Sequence, residues 1–352
     1  MELGVYSFGD VQIDPATGGL GSTAQATRNL LEAIQLADEV GLDYFGIGEH
    51  HTHEMPASAA TVILGAAAST TKRIKLGSAV TVLSTDDPVR VYQQFATLDA
   101  LSNGRAEITA GRGSSTESFP LFGHSLRDYD ELYAEKLDLL LQINDAPRIT
   151  WEGKFRAALN EALVVPRPDS GRLTIWLATG GNPQSSIRAG MSALPISYAI
   201  IGGMADRFAP LADLYRKAGA HSGIPAEVLK VSVACPGYIG EDSKTAKDFF
   251  WKHWHATMEQ LGKIRGFAPP PRSNFDRETE GMGALMVGAP EEVAERIVMQ
   301  QKVLGHMRHF IQMDVGQMPH KDFLRSIELL GTKVKPLVDA ALKGGKAAAT
   351  DG

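Results

Sequence analysis

Leu98-Asp99-Ala100-Leu101-Ser102-Asn103-Gly104-Arg105-Ala106-Glu107-Ile108-Thr109-Ala110-Gly111-Arg112-Gly113-Ser114-Ser115 is the stretch whose reading decides the fold. Leu98 to Leu101 reads as the last turn of a helix and Asn103-Gly104 as its stop, since glycine enters the left-handed turn that ends a helix at least cost. Ala106 to Ala110 reads as a short buried strand. Gly111-Arg112-Gly113 follows at once, then two hydroxyls. Glycines let backbone N–H groups approach an anion, and an arginine presents a fork of donors that matches phosphate oxygens. Strand followed by Gly-Arg-Gly is expected at the C-terminal end of a barrel strand that holds a phosphate. A turn with a solvated arginine accounts for the same residues, so the rest of the chain must decide.

On either side, helices and short apolar strands alternate. Before the quoted stretch, strands are expected at Leu3 to Phe8, Asp43 to Gly48 and Ile74 to Leu83. The helices between them are announced by Ser22 or Thr23 as a cap, by Gly41 as a stop and by Pro88 after Asp86-Asp87. After it, Ser125 is expected to cap a helix over Leu126 to Ile143, and Thr150 to Pro166 to form an extended hairpin. Strands resume at Leu173 to Ala178, Leu194 to Ile201, Val228 to Ile239 and His309 to Met313, with a last helix over 321–341. Eight strands alternating with helices define an α/β fold, the (β/α)8 TIM barrel, with insertions after strands 4 and 7. A doubly wound sheet would want its glycine-rich loop after the first strand, and Gly9-Asp10-Val11-Gln12 does not match. The expected organisation is one domain over 1–340, with insertions at about 114–170 and 241–290. Within the second, 262–288 carries Pro269-Pro270-Pro271 and little periodicity and reads as a mobile lid; 341–352 reads as a loose tail.

The 352 residues carry 35 Lys and Arg against 41 Asp and Glu, a net charge of −6. That balance argues against nucleic acid or an anionic membrane as partner. One cysteine, Cys235, fits a reducing compartment, and no basic leader or apolar span is seen. A cytoplasmic protein is expected.

In a barrel, chemistry sits at the C-terminal strand ends. Three clusters fall there: Glu49-His50-His51, Gly111-Arg112-Gly113, and Gly180-Gly181-Asn182 with Ser185. The last places N–H groups at a helix N-terminus, where an anion binds readily, and it can share one phosphate with Arg112. Glu49-His50-His51-Thr52-His53 reads in three ways. A histidine beside a carboxylate can move protons; the same residues can cap a loop; or His51 and His53 can begin a metal set. The metal reading needs histidines on later strands, which strands 5 and 6 lack, leaving Asp314 alone. No metal is expected.

These motifs together resemble the bacterial luciferase-like flavin monooxygenases of the alpha-subunit type. Gly41 to His51, Leu76 to Leu83 with Pro88-Val89-Arg90, Leu98-Asp99 with Ser102 and Gly104-Arg105, Gly111-Arg112-Gly113, and Val287-Gly288 with Pro290 to Val293 follow the family's order and spacing over roughly 300 residues. The resemblance implies reduced FMN and O2 as co-substrates, a separate flavin reductase, a peroxyflavin, a small organic substrate and a homodimer. It implies that Arg112, with Gly181, Asn182 and Ser185, holds the phosphate. It places Ala79-Val80, joined by a non-prolyl cis peptide, against the flavin ring, and makes His50, oriented by Glu49, the base. Gly111 stands where luciferase has a reactive cysteine, and Gly181 where it has a glutamate. Alternatives are a deazaflavin- or FMN-dependent dehydrogenase without oxygen chemistry, a metal-dependent barrel hydrolase and a non-catalytic flavin-binding protein.

Overall fold

A computed structural model describes residues 1–350 other than Pro15 and Ser114, with side chains described through Gly344. Ser114 of the Gly-Arg-Gly loop and the last two residues of the tail lie outside the described residues. Eight parallel strands, labelled in barrel order, close on themselves. They are β1 (Glu2–Ser7), β2 (Tyr44–Ile47), β3 (Lys75–Ser78), β4 (Ala106–Gly111), β5 (Thr174–Thr179), β6 (Ile196–Ala199), β7 (Val231–Ile239) and β8 (Arg308–Gln312). Val5 of β1 lies opposite Phe45 of β2 on one side and Ile311 of β8 on the other, which seals the ring. The fold is a (β/α)8 TIM barrel.

Alternation along each strand builds two cores. Outward residues such as Val5, Phe45, Leu76 and Ile108 pack under the helices. Inward residues Tyr6, Tyr44, Ala234 and Phe310 form a separate cluster inside the barrel. Tyr44 can lie across the barrel because its neighbours are glycines: a Cβ on Gly4 would come 2.4 Å from the Tyr44 carbonyl oxygen, and one on Gly77 2.7 Å from its hydroxyl.

Local signals act where the sequence puts them. Ser22 accepts the Gln25 N–H, Asp87 accepts those of Val89 and Arg90 ahead of Pro88, and Asn103 (φ 55°) ends the helix Pro88–Ser102. Ser125 instead caps a 3-10 turn, Leu126–Asp128, that leads into the helix Tyr129–Asp145. The third strand breaks at Ser78, resuming as Thr81–Val82 beside β4, with a cis Ala79–Val80 peptide between.

The segment 262–288 holds more regular structure than its composition suggests. The helix Ser243–Arg265 runs into it, Arg272–Glu278 is helical around a buried Phe275, and Met286–Gly288 pairs with the far end of β7. The C-terminal region is likewise helical further than expected, His320–Leu329 continuing through a π turn into Lys335–Thr350. Among the described residues no helix is long and apolar enough to cross a membrane.

Candidate active site

The C-terminal strand ends surround a cavity of about 430 Å³. Glu49 and His50 reach it from β2, Ala79 and Val80 from β3, Gly111 and Arg112 from β4, Gly180 and Asn182 from β5. Two expected residues stand back from it. A Cβ on Gly181 would face Phe208, at 3.4 Å. Ser185 is buried behind the cavity wall, its Oγ accepting from Arg112 Nη1 at 3.4 Å. None of residues 262–288 lines the cavity.

The histidine is oriented by a different carboxylate from the one expected. Glu49 Oε1 lies 2.9 Å from His51 Nε2, and its other oxygen accepts the Val82 N–H at 2.8 Å. Successive residues leaving a strand face opposite sides, so Glu49 shares a side with His51 and not with His50. His50 Nδ1 instead lies 2.8 Å from Glu117 Oε1. Burial alone would raise the Glu117 carboxyl, but hydrogen bonds from His50 and from the backbone N–H groups of Glu117 and His51 outweigh it and hold the group below its ordinary value. Phe8 packs edge-on against the His50 ring, with centroids 4.5 Å apart. Nothing local in the sequence marks Glu117, which lies 67 residues from its partner in a loop with no periodic signal.

At the opposite side, Arg112 sits over the Tyr133 ring, 5.0 Å from its centroid. Its Nε is 3.3 Å from Asp130 Oδ1, yet this buried N–H makes no hydrogen bond. Ser118 Oγ, also on the cavity, is buried without a partner. A guanidinium and a hydroxyl-bearing residue on one wall suit an anion with several acceptor oxygens. The helix end contributes less than expected. Asn182 Oδ1 accepts the N–H groups of Gln184 and Ser185, while Thr179 Oγ1 accepts those of Gly181 and Asn182. These four amides are satisfied within their own loop, which leaves Arg112 and Ser118 as side chains on this wall that could donate to an anion.

Ala79 and Val80, joined by the cis peptide, line the cavity together with Gly111. A Cβ at Gly111 would stand 2.6 Å from Val80 Cγ2, so the cysteine that the resemblance expects there has no room beside this valine. Asp314, the remaining candidate from the metal reading, hydrogen-bonds Ser7 Oγ. Among the described residues no group of three or more His, Cys, Asp or Glu side chains is placed to hold a metal ion.

A cavity at the C-terminal mouth of a (β/α)8 barrel is where enzymes of this fold place their active sites. The chain belongs to the luciferase-like monooxygenase family, whose model matches residues 1–306. In sequence it is 25% identical over 329 residues to the 4-hydroxyprotoasukamycin monooxygenase of Streptomyces nodosus subsp. asukaensis, covering 89% of this chain and 87% of that one. In structure it resembles the monooxygenase RslO1 of Streptomyces bottropensis, with a TM-score of 0.81, 23% identity and coverage of 96% and 99%. It also resembles the oxygenating constituent of 3,6-diketocamphane monooxygenase from Pseudomonas putida, solved with FMN (TM-score 0.74, 19% identity, coverage 96% and 98%). An F420-dependent secondary alcohol dehydrogenase shares the fold too, with a TM-score of 0.71, 17% identity and coverage of 96% and 98%.

Proposed function

We propose that the protein is an FMN-dependent monooxygenase that oxygenates a small organic substrate with O2, its reduced flavin supplied by a separate reductase. The observation that carries the reading is the Arg112 guanidinium on the wall of a cavity at the barrel's C-terminal mouth, a cation placed where an anionic group of a ligand would lie. Arg112 and Ser118 would hold the phosphate, Ser185 steadying Arg112 from behind the wall, and Ala79, Val80 and Gly111 would flank the ring. Bound reduced flavin supplies the two electrons that activate O2. The chain's own part is to bind, orient and dry the site. Tyr6, Phe8 and Phe310 line its floor and limit water. His50, which lines the cavity and has its Nδ1 taken up by Glu117, would hold or move a proton at Nε2, for which no partner is found among the described residues. FMN is favoured over a deazaflavin with further anionic groups because Arg112 is the only Lys or Arg among the described lining residues, matching one phosphate.

Anaerobic titration with reduced FMN, followed by admission of O2, tests the reading. Saturable binding with re-oxidation kinetics distinct from free flavin supports it. Binding with unaltered re-oxidation points to a dehydrogenase or a carrier, and absence of binding removes the flavin reading.

A further inference from the structure

The contact between His50 and Glu117 determines what the cavity meets at the histidine. The pair joins the loop after β2 to the loop after β4, and both side chains are sheltered, at 10% and 23% exposure. Glu117 receives backbone N–H groups as well as the imidazole, so it is held as an acceptor with no proton of its own to offer. Other charged groups near the ring are already committed. Glu49 is taken up by His51 and the Val82 amide, while on the β1 side the uncharged Phe8 packs edge-on against the ring.

We propose that Glu117 is a positioning residue that holds His50 in the Nδ1–H tautomer, so that Nε2 presents a lone pair to the cavity and the group lying against it must be a proton donor. A neutral imidazole carries one N–H and one acceptor nitrogen, and the bond at one nitrogen selects the role of the other. With Nδ1–H spent on a carboxylate, Nε2 accepts. The partner at Nε2 is therefore a hydroxyl, hydroperoxyl, enol or N–H group and not a bare carbonyl oxygen. The inference deepens the flavin reading by assigning the direction of proton movement at its base.

The test is nitrogen-15 NMR of the imidazoles in the intact protein, at a pH where His50 is neutral, with His50 assigned by loss of its signals in His50→Asn. The wild type is expected to show His50 mainly as Nδ1–H. Glu117→Ala is expected to lower the Nδ1–H to Nε2–H ratio about tenfold or more, the scale of a hydrogen bond to a charged group. Glu117→Gln keeps an acceptor oxygen and is expected to restore the preference in large part. Unchanged signals from the distant buried pair His306 and His309, 3.2 Å apart, report that each variant is folded. A wild type dominated by Nε2–H, or a Glu117→Ala protein that is folded with its tautomer ratio unchanged, overturns the proposal. The readout needs no flavin, so failure of FMN to bind would remove the functional reading without touching this result.

Discussion

Glu107 on β4 and Arg308 on β8 meet inside the barrel in a two-pronged ion pair, Nη1 to Oε2 at 2.6 Å and Nη2 to Oε1 at 3.1 Å, although 201 residues separate them in the chain. Arg308 also lies between the rings of Tyr44 and Trp176, at 4.5 and 4.8 Å, and donates to Glu2 through Nε. The pair forms a polar layer below the apolar cluster that floors the cavity. Removing Glu107 leaves the buried Arg308 with Glu2 as its remaining counter-charge, so the loss is expected toward the lower end of the about 3–5 kcal/mol that breaking a buried pair costs. Glu107→Ala is therefore expected to unfold at markedly lower denaturant, whereas replacing both residues with apolar ones of similar volume recovers much of the loss. Urea midpoints of the single and double variants check this; equal losses in both would contradict it.

Arg112→Ala should discriminate between two flavins. A charge-assisted contact to phosphate is worth about 2 kcal/mol, roughly thirtyfold in Kd. FMN affinity is expected to fall by that order while riboflavin, which lacks the phosphate, binds as before. Calorimetric titration with both ligands decides, and an equal loss for the two would move the phosphate elsewhere.

Gly111 and Val80 are expected to be coupled. Placing a methyl at 111 drives it into the Val80 side chain, an overpacking that costs about 1–3 kcal/mol. Gly111→Ala should lose that stability, and Gly111→Ala combined with Val80→Ala should regain most of it. Additive losses in a double-mutant cycle would show that the contact is not what keeps a side chain out.

Asp314 gives stability a pH dependence of unusual sign. Burial raises its carboxyl from 3.8 to about 6, despite the hydrogen bond from Ser7, and Asp10 beside it is raised as well, by burial and then by the charge of Asp314. A group whose folded value lies above its unfolded one contributes most below the unfolded value and loses that contribution as pH rises through the folded value. Between about pH 4 and 6 this component of stability therefore falls with rising pH. Asp314→Asn should flatten it, as measured by denaturant midpoints across that range; an unchanged slope would place the titration on other groups.

The barrel was legible in the sequence because its signals are local. Caps at Ser22 and Asp87, the left-handed stop at Asn103 and the short apolar strands depend on neighbours within a few residues, so they survive reading one segment at a time. The alternation of those segments then leaves little choice of topology. Strand ends carrying Arg112, His50 and Ala79-Val80 followed from the same logic, since a barrel gathers the C-terminal ends of its strands at one mouth. What the sequence could not determine is which side chains face each other once there. Glu117 rather than Glu49 holds His50, Thr179 and Asn182 satisfy the amides of their own loop, and Glu107 finds Arg308. Each of these depends on the direction in which a side chain leaves a backbone bend, or on the register of strands brought together by closure of the ring. Only the tertiary structure decides those, because hydrogen bonds select partners by distance and angle and not by separation along the chain.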